Sequence, residues 1–361
     1  MFAVILAGGA GTRLRPLTYA RRKELVPLLN RPLLEYRLLN LKQHGVEDIV
    51  VACSQGMREV EEHFGDGASL GLRLRYEYED RPLGSGRAVK EAARAAGVAG
   101  TLVVCNGDIL TNLDLRAMIA RHRETGATLS ISLAPVDDPW HFGVVAVDDE
   151  LRIQSFIEKP PQGEEPSNLI NAGTWLWEPE VLARIPDDES AIRDGFAERV
   201  LFPGIIADGL RVQGFIEDLW VDVGSPDRYL RATRLLLERA ARERGADVMV
   251  EPGAEVDASA RISGQVLVGA GAKVGPGARI SGPSVIGPAT VIGAGTSIEA
   301  SVIWEEARIG TGGRVARSIL GAYAGIGDHA VVEDAILGNG AEVEEDHQLE
   351  PGARVMPGDR L

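Results

Sequence analysis

The stretch Leu6 to Pro32 reads LAGGAGTRLRPLTYARRKELVPLLNRP. Phe2-Ala3-Val4-Ile5-Leu6 leads into it, a short apolar run of the kind that forms a buried strand. That run opens onto Gly8, Gly9 and Gly11. Glycine has no Cβ, so such a loop lets backbone N–H groups close on a bulky anion. Arg13 and Arg15 follow at once, and Lys23 lies further along. An N–H-rich loop followed by cations suits a polyphosphate. Two familiar phosphate loops do not fit. The Walker string Gly-x-x-x-x-Gly-Lys-Ser/Thr does not occur in the chain. The dinucleotide fingerprint needs Gly or Ala where Leu14 stands.

Outward from this loop, strand-like and helix-like segments alternate. Leu33 to His44 has apolar residues at helical spacing and a stop at Gly45. Asp48 to Cys53 reads as a strand, Met57 to Phe64 as a short helix and Leu72 to Tyr78 as a third strand. Ser85 to Ala96 reads as a helix and Leu102 to Cys105 as a fourth strand. This alternation, from residue 2 to about residue 125, predicts a parallel, doubly wound sheet. Ligands in such sheets bind beyond the carboxyl ends of the strands. Gly8 to Arg13, Arg81 to Gly86, and Asn106-Gly107-Asp108 stand at such places. Leu129 to Pro135 reads as another strand, and Tyr229 to Arg244 as a charged amphipathic helix ending at Gly245.

The 361 residues suggest two domains, and 45% hydrophobic with 25% charged residues is an ordinary globular composition. No apolar run approaches the ~18 residues of a membrane helix. The first strand begins at residue 2, so no leader and no membrane partner are expected, and the cytoplasm is the expected compartment. A net charge of −15 argues against nucleic acid as a partner. Cys53 and Cys105 lie in apolar runs and read as buried, reduced thiols. Lysine occurs only five times, at 23, 42, 90, 159 and 273. In so arginine-biased a chain, a lysine within a motif suggests that a compact ammonium is wanted. Lys23 and Lys159 are those lysines.

The Leu6 to Pro32 stretch resembles the signature of the sugar nucleotidyltransferases, Gly-Gly-x-Gly-Thr-Arg-Leu-x-Pro-Leu-Thr, then Pro-Lys and Val-Pro-Leu-x-x-x-Pro. Arg22 stands where the family has the Pro before the lysine. Arg81-Pro82-Leu83-Gly84-Ser85-Gly86 resembles its Pro-Leu-Gly-Thr-Ala loop, and Asn106-Gly107-Asp108 its Gly-Asp. Phe142-Gly143-Val144-Val145, Phe156-Ile157-Glu158-Lys159-Pro160 and Asn171-Ala172-Gly173 are similar to three sugar-pocket segments. Trp220-Val221-Asp222-Val223-Gly224-Ser225-Pro226 resembles Trp-x-Asp-Val-Gly-x-Pro. Read without the family, Ser85 and Asp222 could be helix caps and Asp108 an Asx turn.

The resemblance implies that an NTP and a sugar-1-phosphate give an NDP-sugar and pyrophosphate. It assigns nucleotide binding to Leu6, Gly8, Gly9, Gly11, Thr12, Arg13, Gly84 and Ser85. Gly143, Glu158, Lys159, Asn171 and Gly173 would bind the sugar phosphate. Arg13 would meet the leaving pyrophosphate and Lys23 the α-phosphate. Asp108 and Asp222 would converge on Mg²⁺, and these four would be the catalytic residues. The layout looks most like the mannose-1-phosphate guanylyltransferases, which bind GTP. A glucose-1-phosphate thymidylyltransferase or another NDP-glucose pyrophosphorylase is an alternative, although Asp80-Arg81-Pro82 lacks the Gln usual in the short thymidylyl enzymes. A non-catalytic regulatory subunit of the same fold is another.

From Val250 the pattern changes. Aliphatics fall at 250, 256, 262, 268, 274, 280, 286, 292 and 298, an unbroken step of six, mostly followed by Gly, Asp or Glu. The phase slips by one before Ile303 and again before Leu320 and Leu337, so that Ile286, Ile303, Leu320 and Leu337 are seventeen apart. One inward aliphatic per face, stacked coil on coil, buries a continuous core. By resemblance this is the left-handed parallel β-helix of hexapeptide-repeat proteins. The expected architecture is therefore α/β: a Rossmann-like mixed parallel sheet over residues 1–245, including a linker helix over 226–244, then a β-helix over 246–361. Some such prisms are acyltransferases with a catalytic histidine, for which His329 and His347 are the candidates. Assembly into a homo-oligomer, or allosteric contact between subunits, is the role expected here.

Overall fold

Val4, Ile5, Val50, Val51, Val103 and Val104 are all buried, on both faces of their strands, so these strands need cover on two sides. The computed structural model describes residues 1–54, 56–79, 84–188 and 195–361. Asp80, Arg81, Pro82 and Leu83, the first part of the second glycine loop, lie outside the described residues. Packing divides the chain into Met1–Gly9 with Leu34–Trp220, and Ala10–Leu33 with Val221–Leu361. This division differs from the linear boundary drawn at Gly245. The cation-bearing segment after the first glycines packs with the C-terminal repeat.

In the first unit β1 (Phe2–Ala7) lies parallel to β2 (Asp48–Cys53) on one side. β3 (Arg73–Tyr78) extends this side, and β4 (Leu102–Asn106) flanks β1 on the other, all in parallel. Helices α1 (Leu33–Gln43), α2 (Arg58–Phe64) and α3 (Gly84–Ala95) alternate with them. Beyond β4 the sheet turns antiparallel. With α4 (Leu115–Thr125) come β5 (Leu129–Pro135), β6 (Gly143–Val147), β7 (Ile153–Glu158) and β8 (Leu169–Trp177). β8 pairs antiparallel with β4, β5 and β6, and β7 with β6. β9 (Val212–Ile216) returns parallel to β5, completing a nine-stranded mixed sheet. Trp175 and Trp177 share one face of β8 with centroids 5.9 Å apart. Phe202 meets both edge-on, each pair adding roughly 0.5–1.5 kcal/mol beyond its buried area. Cys53 and Cys105 form no disulfide and are buried, as expected, and burial pushes the Cys105 thiol up.

The second unit carries three parallel ladders of seven, six and five short strands. Val268, Ile286, Ile303 and Leu320 stack in one, Val274, Ile292 and Ile309 in the next, Ile280, Ile298 and Val315 in the third, all buried. Val250 and Val256 depart from the pattern. They are 49% and 37% exposed, because their strands end the stack and nothing lies below them in the ladders. The glycines after the aliphatics have a steric cause. A Cβ at Gly293 would come within 2.6 Å of the Gly310 carbonyl carbon in the next coil. Helix α5 (Pro226–Arg244) precedes the prism and ends at Gly245, whose φ is 67°.

The phase slips map to one corner. Ser281 pairs with Glu299, but Val285 pairs with Val302, so the corner between them loses a residue. Ser284, Ser301 and Ser318 stand at that corner, fully buried. Each hydroxyl donates to a carbonyl of its own corner, at 2.6, 2.6 and 2.7 Å. Each also accepts the N–H seventeen residues on, from Ser301, Ser318 and Ala335, at 3.2, 3.1 and 3.1 Å. A buried orphan N–H typically costs about 1–3 kcal/mol. Ser301→Ala should therefore lower the urea midpoint of the β-helix transition by that amount of stability, whereas the exposed Ser259→Ala should do much less. Equal midpoints for the two would refute the serine ladder as a support.

Candidate functional site

Three cations converge on one carboxylate in the second unit. Arg13 Nη2 lies 3.5 Å from Asp222 Oδ2, Lys23 Nζ 3.4 Å from Oδ1, and Arg228 Nη1 3.1 Å from Oδ2. Local structure explains each position. Thr12–Leu14 forms one 3-10 turn and Lys23–Leu25 another, so the two cations sit on tight turns rather than on open loop. The Thr18 hydroxyl donates to Gly11 O at 2.8 Å and closes the first turn. Arg22 has φ −62° and ψ 145°, a backbone that a proline also adopts, so arginine at this position needs no different local conformation. Lys23 is 5% exposed and Arg13, by side chain, 64%. Gly224 lets the cluster form: a Cβ there would lie 2.6 Å from Arg13 Nη2 and 2.9 Å from Asp222 Oδ1.

The capping alternative for Asp222 fails. Ser225 caps α5, its hydroxyl accepting from Arg228 N at 3.5 Å. That capping turn places Arg228 on the carboxylate. Sequence reading missed Arg228, which lies outside the Trp-x-Asp-Val-Gly-x-Pro string; only the pitch of the helix brings it back six residues.

The first unit gathers the other segments. The N–H of Gly107 donates to Leu6 O at 2.9 Å, so the turn bearing Asp108 stands against the end of β1. Gly8 follows there, with Ser54 Cβ 3.4 Å from where its own Cβ would be, and Gly9 faces open space. Gly173, at φ 75°, sits in a break of the β8–β5 register with the Asn106 amide 2.7 Å from its missing Cβ. Asn171 Oδ1 accepts from Gly173 N at 3.1 Å and from the Trp175 indole at 2.8 Å. Gly143 faces Glu158 across the β6–β7 pairing, and Lys159 N donates to Phe142 O at 2.9 Å. Lys159 Nζ lies 3.6 Å from Glu158 Oε1. Its backbone φ of 52° is a region that few non-glycine residues occupy. Gly84 and Ser85 open α3, and Ser85 Oγ donates to Glu198 Oε2 at 3.0 Å, so Ser85 is not an N-cap. Among the described residues no group of three or more His, Cys, Asp or Glu could hold a metal. A hard cation held by one or two carboxylates and substrate phosphates needs no such group.

Two buried polar networks lie in the same unit. His122 bridges Ser130 Oγ and Glu178 Oε1 at 2.8 and 2.9 Å. This has the membership of a hydrolase triad, but Ser130 is 1% exposed and beyond the reach of a substrate, so the network braces α4 to β5. At β8, Arg37 Nη1 donates to Thr174 Oγ1 at 3.1 Å, and Thr111 donates to Glu217. Among the described residues Glu217 Oε1 and Arg37 Nε and Nη2 have no hydrogen-bond partner. Burial pushes the Glu217 carboxyl up to about 7, against the pull of the Thr111 hydroxyl, the Arg37 charge and the Ser132 hydroxyl. His329 and His347 stand exposed at corners of the prism.

A nucleotidyl transferase family matches residues 2–239, and the EIF2B subunit epsilon LbH domain, a left-handed β-helix, matches residues 246–349. The fold and these matches define a nucleotidyltransferase joined to a left-handed parallel β-helix. The mannose-1-phosphate guanylyltransferase of Mycobacterium tuberculosis is 36% identical over 274 residues, 73% of each chain. A UTP--glucose-1-phosphate uridylyltransferase of Synechocystis is 34% identical over 336 residues, 87% of this chain and 86% of the relative. A Bacillus anthracis protein described as a glucose-1-phosphate thymidylyltransferase, solved in complex with sucrose, superposes with a TM-score of 0.57 at 25% identity. That match covers 65% of this chain and 95% of the other. The chain belongs to the sugar-1-phosphate nucleotidyltransferase family, whose members generally use a divalent metal. No described helix is long and apolar enough to cross a membrane.

The buried Glu217 makes stability depend on pH. Its folded value of about 7 exceeds the ordinary 4.5, so between these values the folded state holds more protons than the unfolded chain. The stability is fully present below the lower value and is lost as pH rises towards the upper one. Glu217→Gln should flatten the fall in Tm between pH 5 and 7.5, measured by calorimetry. A slope as steep as that of the wild type would show that another group carries it.

Proposed function

We propose that this protein catalyses nucleotidyl transfer from GTP to mannose-1-phosphate, releasing pyrophosphate and GDP-mannose. The observation that carries the transfer chemistry is the gathering of Arg13, Lys23 and Arg228 about Asp222. A triphosphate entering this cluster meets three cations held in place, and the carboxylate that holds them is of the type that binds a hard metal. The sugar-phosphate oxygen attacks the α-phosphorus, forming the new O–P bond as the bond to the β-phosphate oxygen breaks. No protein nucleophile is needed, so positioning and charge neutralisation supply the rate. Arg13 faces the leaving pyrophosphate and Lys23 the α-phosphate. Lys159 takes the sugar phosphate, with Glu158 beside it for the sugar hydroxyls, and the unusual backbone at Lys159 supports a functional role. Mg²⁺ would neutralise phosphate charge, with Asp108 and Asp222 the proposed carboxylate ligands.

Guanylyl and mannosyl specificity is favoured by relatives from bacteria, fungi and plants at 32–36% identity that carry that name. The uridylyl relative spans more of the chain, so an NDP-glucose product is the second reading. Retention of both motif lysines, Arg13 and both acids argues against a non-catalytic subunit. We also propose that the prism supports a homo-oligomer in the cytoplasm.

Pyrophosphate release from four NTPs crossed with mannose-, glucose- and N-acetylglucosamine-1-phosphate tests the assignment. The GTP and mannose pair should give the highest kcat/KM, and another leading pair would replace the substrate assignment. Arg13→Ala and Asp222→Asn should each lower turnover about 10²–10³-fold. Rates within threefold of wild type for both would refute the roles given to the cluster.

A further inference from the structure

The β-helix reaches the cation-bearing segment by direct bonds within the second unit. Arg21 forms a forked pair with Glu305, one arm of which is 3.2 Å long, and its guanidinium lies 4.9 Å from the centroid of the Trp304 ring. Trp304 is 1% exposed, and its indole N–H donates to the Tyr229 hydroxyl at 3.0 Å. That hydroxyl, fully buried on α5, donates to Pro27 O at 2.5 Å. Arg21 and Pro27 bracket Lys23. The corner that holds them is itself held: Trp304 N donates to Leu320 O at 2.9 Å and Tyr323 N to Glu305 O at 3.0 Å. A further fastener comes from the last coil, where Arg354 Nη1 donates to Arg15 O at 2.9 Å, two residues beyond Arg13.

We propose that Trp304 and Glu305, through Arg21 and Tyr229, are positioning residues for nucleotidyl transfer, and that the prism sets the placement of Lys23. This rests on the reading of Lys23 as a phosphate contact. The geometry favours placement over simple docking. Two of the contacts grip the shoulders of one tight turn, at Arg21 and Pro27, and the Trp304 and Tyr229 side chains behind them are buried, while Arg354 on Arg15 and Asn30 on Ile286 O fasten the segment farther out. A turn gripped at both shoulders keeps its ammonium in one position when the triphosphate arrives. Loosened at one shoulder, it would sample several, and a displacement of about 1 Å can cost on the order of 10² in rate. Neither Arg21 nor Glu305 belongs to the family motif, so nothing in the transfer chemistry alone demands them.

The test uses the full chain. Arg21→Ala and Glu305→Ala should each lower kcat about 10- to 100-fold with Tm nearly unchanged, and the double variant should fall no further than the worse single one. Arg21→Lys keeps the charge but loses the fork and the stacking, and should recover only part of the rate. Turnover within twofold of wild type for both alanine variants, or losses that multiply in the double variant, would overturn the proposal. Hydrogen exchange gives a second readout that needs no activity. The amides of Leu25 and Val26, which donate to Arg22 O and Lys23 O, should exchange at least tenfold faster in Arg21→Ala and in Arg21→Lys. Unchanged exchange would also overturn it. A wild type without turnover on any substrate pair would instead defeat the functional reading, and the exchange data would still decide whether the prism holds the turn.

Discussion

Asp222 draws cations from three separate pieces of chain to one point. Arg13 arrives from the glycine-rich segment, Lys23 from the turn ten residues later and Arg228 from the first turn of the helix leading to the prism. Like charges brought together repel, and the carboxylate makes their gathering tolerable. Such a cluster is poised for a larger anion, because a phosphate chain can replace the carboxylate as the partner of each cation. Under the proposed function its preorganisation would be the catalytic asset, since the cations need not be collected when substrate arrives. Gly224 and the Ser225 cap bring backbone close enough for the three to share one carboxylate.

The prism is then more than an appendage. Its coils gain rigidity because the buried aliphatics stack on one another and the serine corners bond each to the next. Rigidity of that kind suits a clamp. The same coil whose corner holds Trp304 and Glu305 rests on rungs above and below, so force applied through Arg21 is spread over the stack. Packing therefore groups residues 10–33 with the repeat, although in sequence they are among its most distant neighbours.

Much of this was legible in the chain. The step of six and its slips predicted a three-faced prism, and the structure places the slips at one corner. The alternation of strand-like and helix-like segments predicted the parallel strands β1 to β4 with helices between them. The antiparallel half was less legible, because only β5 read as a strand while β6 to β8 were met as motif segments, and periodicity does not reveal strand direction. Val250 and Val256 fit the repeat yet stand exposed, since periodicity encodes which side a residue faces but not whether a neighbour covers it.

For the site, the motif strings named Arg13, Lys23, Asp222, Lys159 and the glycines from residue types and order alone. Those strings determine which chemistry is available, because a glycine loop, a compact ammonium and a carboxylate each have few alternatives at their work. Arg228, Glu217 with Arg37, and the Arg21–Glu305–Trp304 clamp carried no such mark. An arginine on a charged helix or a glutamate in a loop is ordinary until folding decides what it touches. Proximity between residues 21 and 305, or 37 and 217, depends on the packing of whole elements, and only the tertiary structure could decide it.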